Sequence, residues 1–582
     1  MEDYEMSLSA KDFSSIYSQH ESYWDDRRGE MRRLRHAYLM RFWDRADTDE
    51  SFLIETARAY ELVESFIASL FVRDPSVVVK PDIHGNGKPA VSEKVANRWL
   101  RKRRGAVEDG LRMALIYPFS ALKLSVGRGK SPMNRVEVAA VAPWDVIVDD
   151  TASTWGAQRY CAHRYLLPLK EAQKRYGRKE YSKRIYARYI EQFAPGQDDA
   201  PTEGGNSGHI VNEVERFVMV VEVYDMEADK LYVWSPDWKL DKWLFDGIEL
   251  EVEQETGEAS IEKFDGIPFK TTSGEIRVPL VPMYLSREPD CPMRGYSTLR
   301  RVYDQLVEVN NMRTFQAQGV RRAARMLVTA RGVLDEEGKA KYAQGQDGEV
   351  IEIDLSPGQT VSDLMTPIPH NPVPAELERY AQQVDSDFSR GSVMAPFTRG
   401  QATEATATEI QALAAYTASE IGRMARQRDG AITAIAASYL AILGTILGDE
   451  GDIVSVDGEL VSLMSDDVLG DFDLWAEDSG NTPMSEAVRK QELERLTPTL
   501  QALGVPNEDL LAMLVRAFEL PASLPAAAAA SMKQQQEAMA AQAQAPAGGM
   551  PGGGMEVPPE ELSQARGGPS RVQMTLPEGG VV

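Results

Sequence analysis

The segments YSTLRRVYDQLVEVNNMRTFQAQGVRRAAR (296–325) and TATEIQALAAYTASEIGRMARQRDGAITAIAASYLAILGTILG (406–448) decide how this chain is read. From Tyr296 to Gly448 the pattern runs helix, short β segment, helix, Gly/Thr-bearing loop and one very long helix. In that last element Ile410, Leu413, Ala414, Thr417, Ile421, Met424, Ala425, Arg428, Ile432, Ile435, Tyr439, Ile442 and Ile446 recur at helical spacing on a mainly apolar stripe. At ~1.5 Å per residue such a helix spans roughly 60 Å. That exceeds the radius of an ordinary domain. The expectation is a helix that crosses between domains or packs against copies of itself, in an oligomeric ring rather than around a pocket.

Around this stretch the chain is long and acidic. Its 582 residues suffice for several folding units. Lys and Arg number 64 against 89 Asp and Glu, a net charge of -25, which argues against a surface that grips nucleic acid throughout. It leaves room for a channel through which DNA passes, because an acidic wall repels phosphate where a basic wall would hold it. The two cysteines, Cys161 and Cys291, stand far apart with no Cys/His cluster beside them, so neither a disulfide framework nor a zinc site is expected. The acidic start MEDYEMSLSA lacks the basic and apolar regions of a signal peptide, and no run of about 18 apolar residues is evident. A cytosolic folding environment is expected.

Toward the N-terminus, residues 10–72 read as helical. The patch Arg27, Arg28, Arg32, Arg33 and Arg35 alternates with acidic and aromatic residues, as a solvated or intersubunit face does. Val77–Lys80 reads as a strand, Val91–Tyr117 as one helix stopped by Pro118, and Ala121–Val126 with Val136–Val141 as a hairpin. A basic helix is expected near Lys170–Arg188. From Glu213 to Val281 the pattern turns to β, with Trp234, Trp238 and Trp243 as sheet-stabilising residues. Beyond the long helix come short acidic strands (Ile453–Val456, Glu459–Met464, Phe472–Ala476) and two helices, Ser485–Leu503 and Asn507–Phe518. After Pro521 an Ala-, Gln-, Gly- and Pro-rich tail predicts a short helix and then disorder.

Motifs that would carry catalysis are weak. Gly127-Arg128-Gly129-Lys130-Ser131 imitates the end of a phosphate-binding loop, but Leu124 stands where its first glycine belongs. Pro132 is read as preventing the helix whose amides would hold the phosphate, so a plain hairpin turn is expected. Asp149 and Asp150, near Asp145, point to opposite faces of an extended chain and read as loop-end or capping residues rather than metal ligands. His84, His163 and His370 belong to no metal or protease motif. No catalytic residue, metal ligand or cofactor is nominated.

Taken in succession, FVRDPSVVVKP (71–81), GLRMALIYPFSALKLSV (110–126), VAPWDVIVDD (141–150), YCAHRYLLPLKEAQKRYG (160–177), the 295–325 helix and the 402–443 stretch make the chain resemble the portal proteins of tailed bacteriophages, most closely those of short-tailed phages. The resemblance covers most of the chain up to Phe518. It implies an α+β, mainly helical portal fold of wing, stem, clip and crown around a central channel, and a ring-forming subunit. Residues 1–296 would form the wing, with a β-rich part at 213–284. Residues 297–325 would be a first stem helix, 326–374 the clip, 375–390 the second stem helix, 391–405 a tunnel loop and 406–448 the tunnel helix. Residues 449–520 would return to wing and crown, and 521–582 would be a crown helix or disordered tail.

The function so implied is a dodecameric conduit at one capsid vertex for DNA packaging and ejection. It would have no enzymatic activity and no membrane insertion, and would be assembled in the host cytoplasm. The implied partners are the terminase motor, tail adaptor proteins, major capsid and scaffolding proteins, and double-stranded DNA in the channel. Arg390, Gly391, Ser392, Arg399, Gly400 and Thr403 would face the channel, while Val328, Val333, Val350 and Ile353 would serve docking at the clip. Gly422, Gly430 and Gly444 are candidate bend points of the long helix. Two alternatives compete: another ring-forming head-tail connector, against which the length argues, and a metal-dependent nuclease or phosphotransferase, which Mg-dependent turnover of DNA or ATP would reveal.

Overall fold

The computed structural model describes residues 7–43, 53–71, 74–81, 87–127, most of 132–181, 217–253, most of 259–329, 365–367, 375–392, 407–447 and most of 451–476, with short pieces at 336, 360 and 496–498. The chain divides into two compact units, Met1–Glu486 and Ala487–Val582. In the second, residues 496–498 are described and are helical.

The first unit opens with α1 (Ala10–Tyr38), where Ser9 accepts a hydrogen bond from the Asp12 amide and so satisfies one of the free N–H groups of the first turn. The helices α2 (Arg58–Leu70), α3 (Pro89–Lys102) and α4 (Arg104–Ile116) follow around β1 (Val77–Pro81). The sequence predicts one helix from Val91 to Tyr117; the structure breaks it at Arg103. The break lets two separate apolar faces, Val95/Trp99/Leu100 and Val107/Leu111/Leu115, both reach the core.

Next come β2 (Ser120–Val126), α5 (Pro132–Arg135), β3 (Val136–Val141), β4 (Val146–Val148), β5 (Tyr160–Pro168) and α6 (Leu169–Arg175). The β2–β3 pairing runs to Val126 opposite Val136, as a hairpin requires. Pro132, however, opens a helical turn instead of preventing one, because a first-turn proline lacks only an N–H that would have no helical partner. Residues 128–131 lie outside the described residues.

The rest of the unit comprises β6 (Phe217–Asp225), β7 (Lys230–Trp234), β8 (Phe245–Asp246), β9 (Ile248–Glu253), β10 (Ala259–Phe264), β11 (Leu280–Met283), α7 (Tyr303–Arg325), β12 (Leu327–Thr329), β13 (Met365–Pro367), α8 (Ala375–Gly391), α9 (Ala407–Leu447), β14 (Asp452–Val456), β15 (Glu459–Leu463), α10 (Ser465–Val468) and β16 (Phe472–Ala476). All pairings among the described strands are antiparallel. A five-stranded sheet has the order β4-β5-β6-β7-β8, a three-stranded sheet the order β11-β2-β3, and four two-stranded pairs complete the set.

This corrects the expected fold class. The chain is mixed rather than mainly helical, 53 % helix and 21 % strand over its well-defined regions with several antiparallel sheets, and neither a ring nor a portal-specific fold is shown. The strands β6 and β7 lie within the β-rich part expected at 213–284, whereas β4 and β5 precede it and pair with it in the same sheet.

The long helix α9 forms at the expected place, and its part from Ile421 onward packs into the chain's own core. Ile421, Met424, Ile432, Ile435, Tyr439, Ile442 and Leu443 are all buried within the chain's own core. There Tyr439 stacks on Trp99 with ring centroids 4.2 Å apart. That part therefore demands no partner copy: a helix hydrophobic enough on all sides can be the centre of one unit. The segment Ser419–Leu447 is also long and apolar enough to cross a membrane, contrary to the sequence reading, yet 78 % of its apolar window is buried inside the chain, as in a core helix. The helix runs unbroken through Gly422, Gly430 and Gly444; Gly444 is the place where Leu469 packs against its backbone.

Candidate functional site

Strand alternation divides the side chains of the five-stranded sheet between two environments. On one face Ala162, Val221, Val223 and Trp234 pack under Phe13 and Tyr17 of α1. On the other face, Cys161 stands opposite Tyr224 and His163 opposite Glu222. Lys123, from the centre of β2, reaches across to this second face, and around it lies a cavity of about 1680 Å³ bounded by the two sheets and by α1, α4 and α6.

Lys123 donates to Glu222 Oε2 at 2.8 Å and also contacts the Tyr224 hydroxyl. Tyr165 donates to Glu222 Oε1 and Tyr224 to Oε2, each at 3.0 Å. Burial alone would raise the Glu222 carboxyl; the Lys123 charge and the hydrogen bonds from Lys123 and Tyr165 outweigh it and bring the group down to about 2. His163 stacks on Tyr165, and burial with the nearby Lys123 charge lowers it to about 3. Its Nδ1 is buried with no hydrogen-bond partner. Cys161 is fully buried and pushed up to about 12. At neutral pH this leaves a saturated carboxylate, a neutral imidazole and a protonated thiol, none with the pKa near working pH that general acid–base or nucleophilic chemistry needs. The cluster joins two sheets across a polar gap.

A second buried network lies on the α1 side. The Arg164 guanidinium is 3 % exposed and binds Asp145 at 3.0 Å and Glu21 of α1. His20 of α1 donates from Nε2 to the Trp144 carbonyl at 2.9 Å, and burial holds it neutral, lowered to about 3. Asp149 behaves as the sequence predicts for a loop-end residue. It accepts from the Thr151 amide at 3.1 Å, the Thr151 hydroxyl at 2.6 Å and Arg159 Nε at 2.6 Å. Asp150 points elsewhere, to Arg294 at 2.6 Å, so the two carboxylates do not converge. Among the described residues no group of three or more His, Cys, Asp and Glu is placed to hold a metal ion.

The helices α7 and α8 pack against each other and are closed at one end by the β12–β13 pair, Val328 opposite Thr366. Their other end is anchored. Asn310 Oδ1 accepts from the Thr56 amide at 3.0 Å and hydroxyl at 2.8 Å, and Arg58 of α2 pairs with Asp385 beneath the buried Phe388. Gly391 ends α8 where an added Cβ would stand 3.1 Å from Val302, so glycine permits the close approach of the two helix ends.

Of the residues expected to face a channel, Arg390 and Gly391 lie in the last turn of α8. Ser392 is buried, its hydroxyl donating to the Ser389 carbonyl at 3.0 Å and its amide to the Phe388 carbonyl at 2.8 Å, so it closes the end of the helix. Arg399, Gly400 and Thr403 lie outside the described residues, as do Val333, Val350 and Ile353 of the expected docking set. Val328 is in β12.

Sequence reasoning missed the Lys123–Glu222 bridge. Its signal was present: a single lysine inside SALKLSV and a single glutamate inside FVMVVEVYD, each in an otherwise apolar strand, where a buried charge requires an opposite partner. Comparison of the chain with protein-family models finds no match, and comparison with curated proteins finds none.

Proposed function

We propose that the chain acts as a portal protein, a subunit of a ring that conducts double-stranded DNA at a phage capsid vertex and offers docking surfaces to a terminase motor and tail adaptors. The reading rests on the ordered sequence resemblance described above. The observation that carries it is the helix pair α7 and α8, joined through the β12–β13 strands at one end and clamped to the body at Asn310 and Asp385 at the other. At ~1.5 Å per residue α7 extends roughly 35 Å, enough to set its tip well away from the body. Phe315 on α7 and Tyr380 on α8 are 56 % and 45 % exposed, the kind of aromatic surface that neighbouring copies cover.

In this reading the chain does no chemistry. Energy comes from ATP hydrolysed by the motor, and the net charge of -25 favours passage of DNA over its capture. Residues 326–374, which connect the two helices in sequence, serve for docking. The test is electron-microscope class averaging of the purified chain together with its mass in solution. Rings with a central channel are expected, and a compact monomer or dimer without a hole would overturn the reading.

A further inference from the structure

The strands β14 and β15 form a two-stranded hairpin that joins no larger sheet among the described strands. Such a pair is marginal alone and is normally covered. Its register places Ile453 opposite Ser462 and Leu460 opposite Ser455, so the two apolar side chains share one face by alternation. That face is open: Ile453 is 68 % and Leu460 78 % exposed, while Leu463, on the opposite face, is buried. The surrounding sequence is uniformly acidic. Residues 449–480 contain eleven Asp and Glu and no Lys or Arg.

The intersheet cavity has the complementary character. Seven Lys and Arg side chains line it against four carboxylates, an excess of cations in a chain that is strongly acidic overall. Lys123, Arg112 and Arg164 have carboxylate partners, whereas Arg35 and Lys174 form no ion pair among the described residues. Between these cations the walls are apolar and aromatic, among them Tyr38, Trp144 and Phe245. At about 1680 Å³ the space exceeds the roughly 300–1,000 Å³ of small-molecule sites, so it suits a polypeptide segment better than a metabolite.

We propose that the cavity bounded by α1, α4 and α6 receives the β14–β15 hairpin of a second copy of this chain, its Ile453/Leu460 face against the apolar walls and its acidic flanks beside Arg35 and Lys174. The inference rests on the ring reading and names the junction by which neighbours join. Because donor and acceptor are different surfaces, the contact is head-to-tail and repeats until a ring closes. The apolar face supplies the buried centre, and the opposite charges fix orientation and exclude other dockings.

The test uses two full-length variants, I453T/L460T in the hairpin and R35E/K174E in the cavity, with R35Q/K174Q as a milder cavity change. Ile453 and Leu460 are exposed in the chain, so their replacement leaves its core intact. Mass in solution and particle images are recorded for each protein alone and for a 1:1 mixture. Rings are expected for the wild type, monomers for each variant alone, and heterodimers that go no further for the mixture, since one intact hairpin meets one intact cavity. Heterodimer formation also shows that both variants are folded. If the wild type forms rings and both variants still do, the junction is wrong while the ring reading stands. A wild type that never associates overturns both.

Discussion

Replacing Lys123 by methionine tests the bridge between the two sheets. The methionine nearly matches the lysine stem in size but leaves Glu222 without its cation, still held by Tyr165 and Tyr224 at 3.0 Å. In the native chain Glu222 stands at about 2 against an ordinary 4.5, a depression achieved despite burial. At ~1.4 kcal/mol per unit the interactions holding the charge are worth about 3 kcal/mol, in line with the ~3–5 kcal/mol lost when one member of a buried pair is removed. Because the carboxyl is depressed, this contribution is present above pH 4.5 and fades as pH falls toward 2, so urea unfolding at pH 7 reads it in full. With m near or above ~3 kcal/mol/M for a unit of this size, the midpoint should fall by up to ~1 M. The double variant K123M/E222Q removes both charges and should recover most of the loss, because an apolar and an amide group no longer bury an unpaired ion. A midpoint for K123M alone that matches the wild type would refute the reasoning, since it would mean that neither group depends on the other across the cavity.

The glycines of α9 should separate by their surroundings. Nothing lies within 4 Å of a Cβ added at Gly430, so G430A should stabilise by up to ~1 kcal/mol through helix propensity, whereas at Gly444 the added methyl meets Leu469 and should destabilise by about 1–3 kcal/mol, both read by urea midpoints. Truncating the stack in W99A should cost about 3–5 kcal/mol, since Trp99 is fully buried against Tyr439 and donates from Nε1 to the Val136 carbonyl at 2.9 Å. His20 and His163, both lowered from 6.5 to about 3, are neutral in the fold and charged when unfolded at intermediate pH. The unfolded chain then binds more protons, so stability should fall as pH drops below 6.5 toward 3. H20Q should flatten that slope in unfolding curves taken between pH 7 and 4, and an unchanged slope would show that His20 is not held neutral.

Much of the element order was legible in the sequence. The strands β1, β2, β3 and β6 and the helix α9 lie near where period and punctuation put them, because these signals are local: Pro118 stops a helix, and apolar residues recur at every third or fourth position of the 407–447 sequence. What the sequence did not disclose is tertiary. Nothing local marks Arg103 as a break, since the cause is the need of two faces to reach one core. Nothing local says which part of the chain will cover the buried stretch of α9 from Ile421 onward, because that cover comes from Trp99, β11 and β16, outside the helix itself. The candidate site follows the same division. Lys123 and Glu222 are each conspicuous in an apolar strand, but only the register of β5 on β6 and the facing of β2 bring them within 2.8 Å.

Charge constrains how such a chain can associate. Two copies each carrying -25 repel at long range, so random surface contact is disfavoured and association needs a place where the local balance is reversed. The cavity with its excess of cations is such a place, and the acidic hairpin is a surface that no other acidic face could welcome. Screening acts unequally on the two terms. Over about 8–10 Å at physiological salt the overall repulsion between acidic bodies is largely removed, while pairs partly buried at a junction are screened much less. In the proposed ring, the same acidity that would keep a DNA conduit from holding its cargo would also select which surfaces of neighbouring subunits meet.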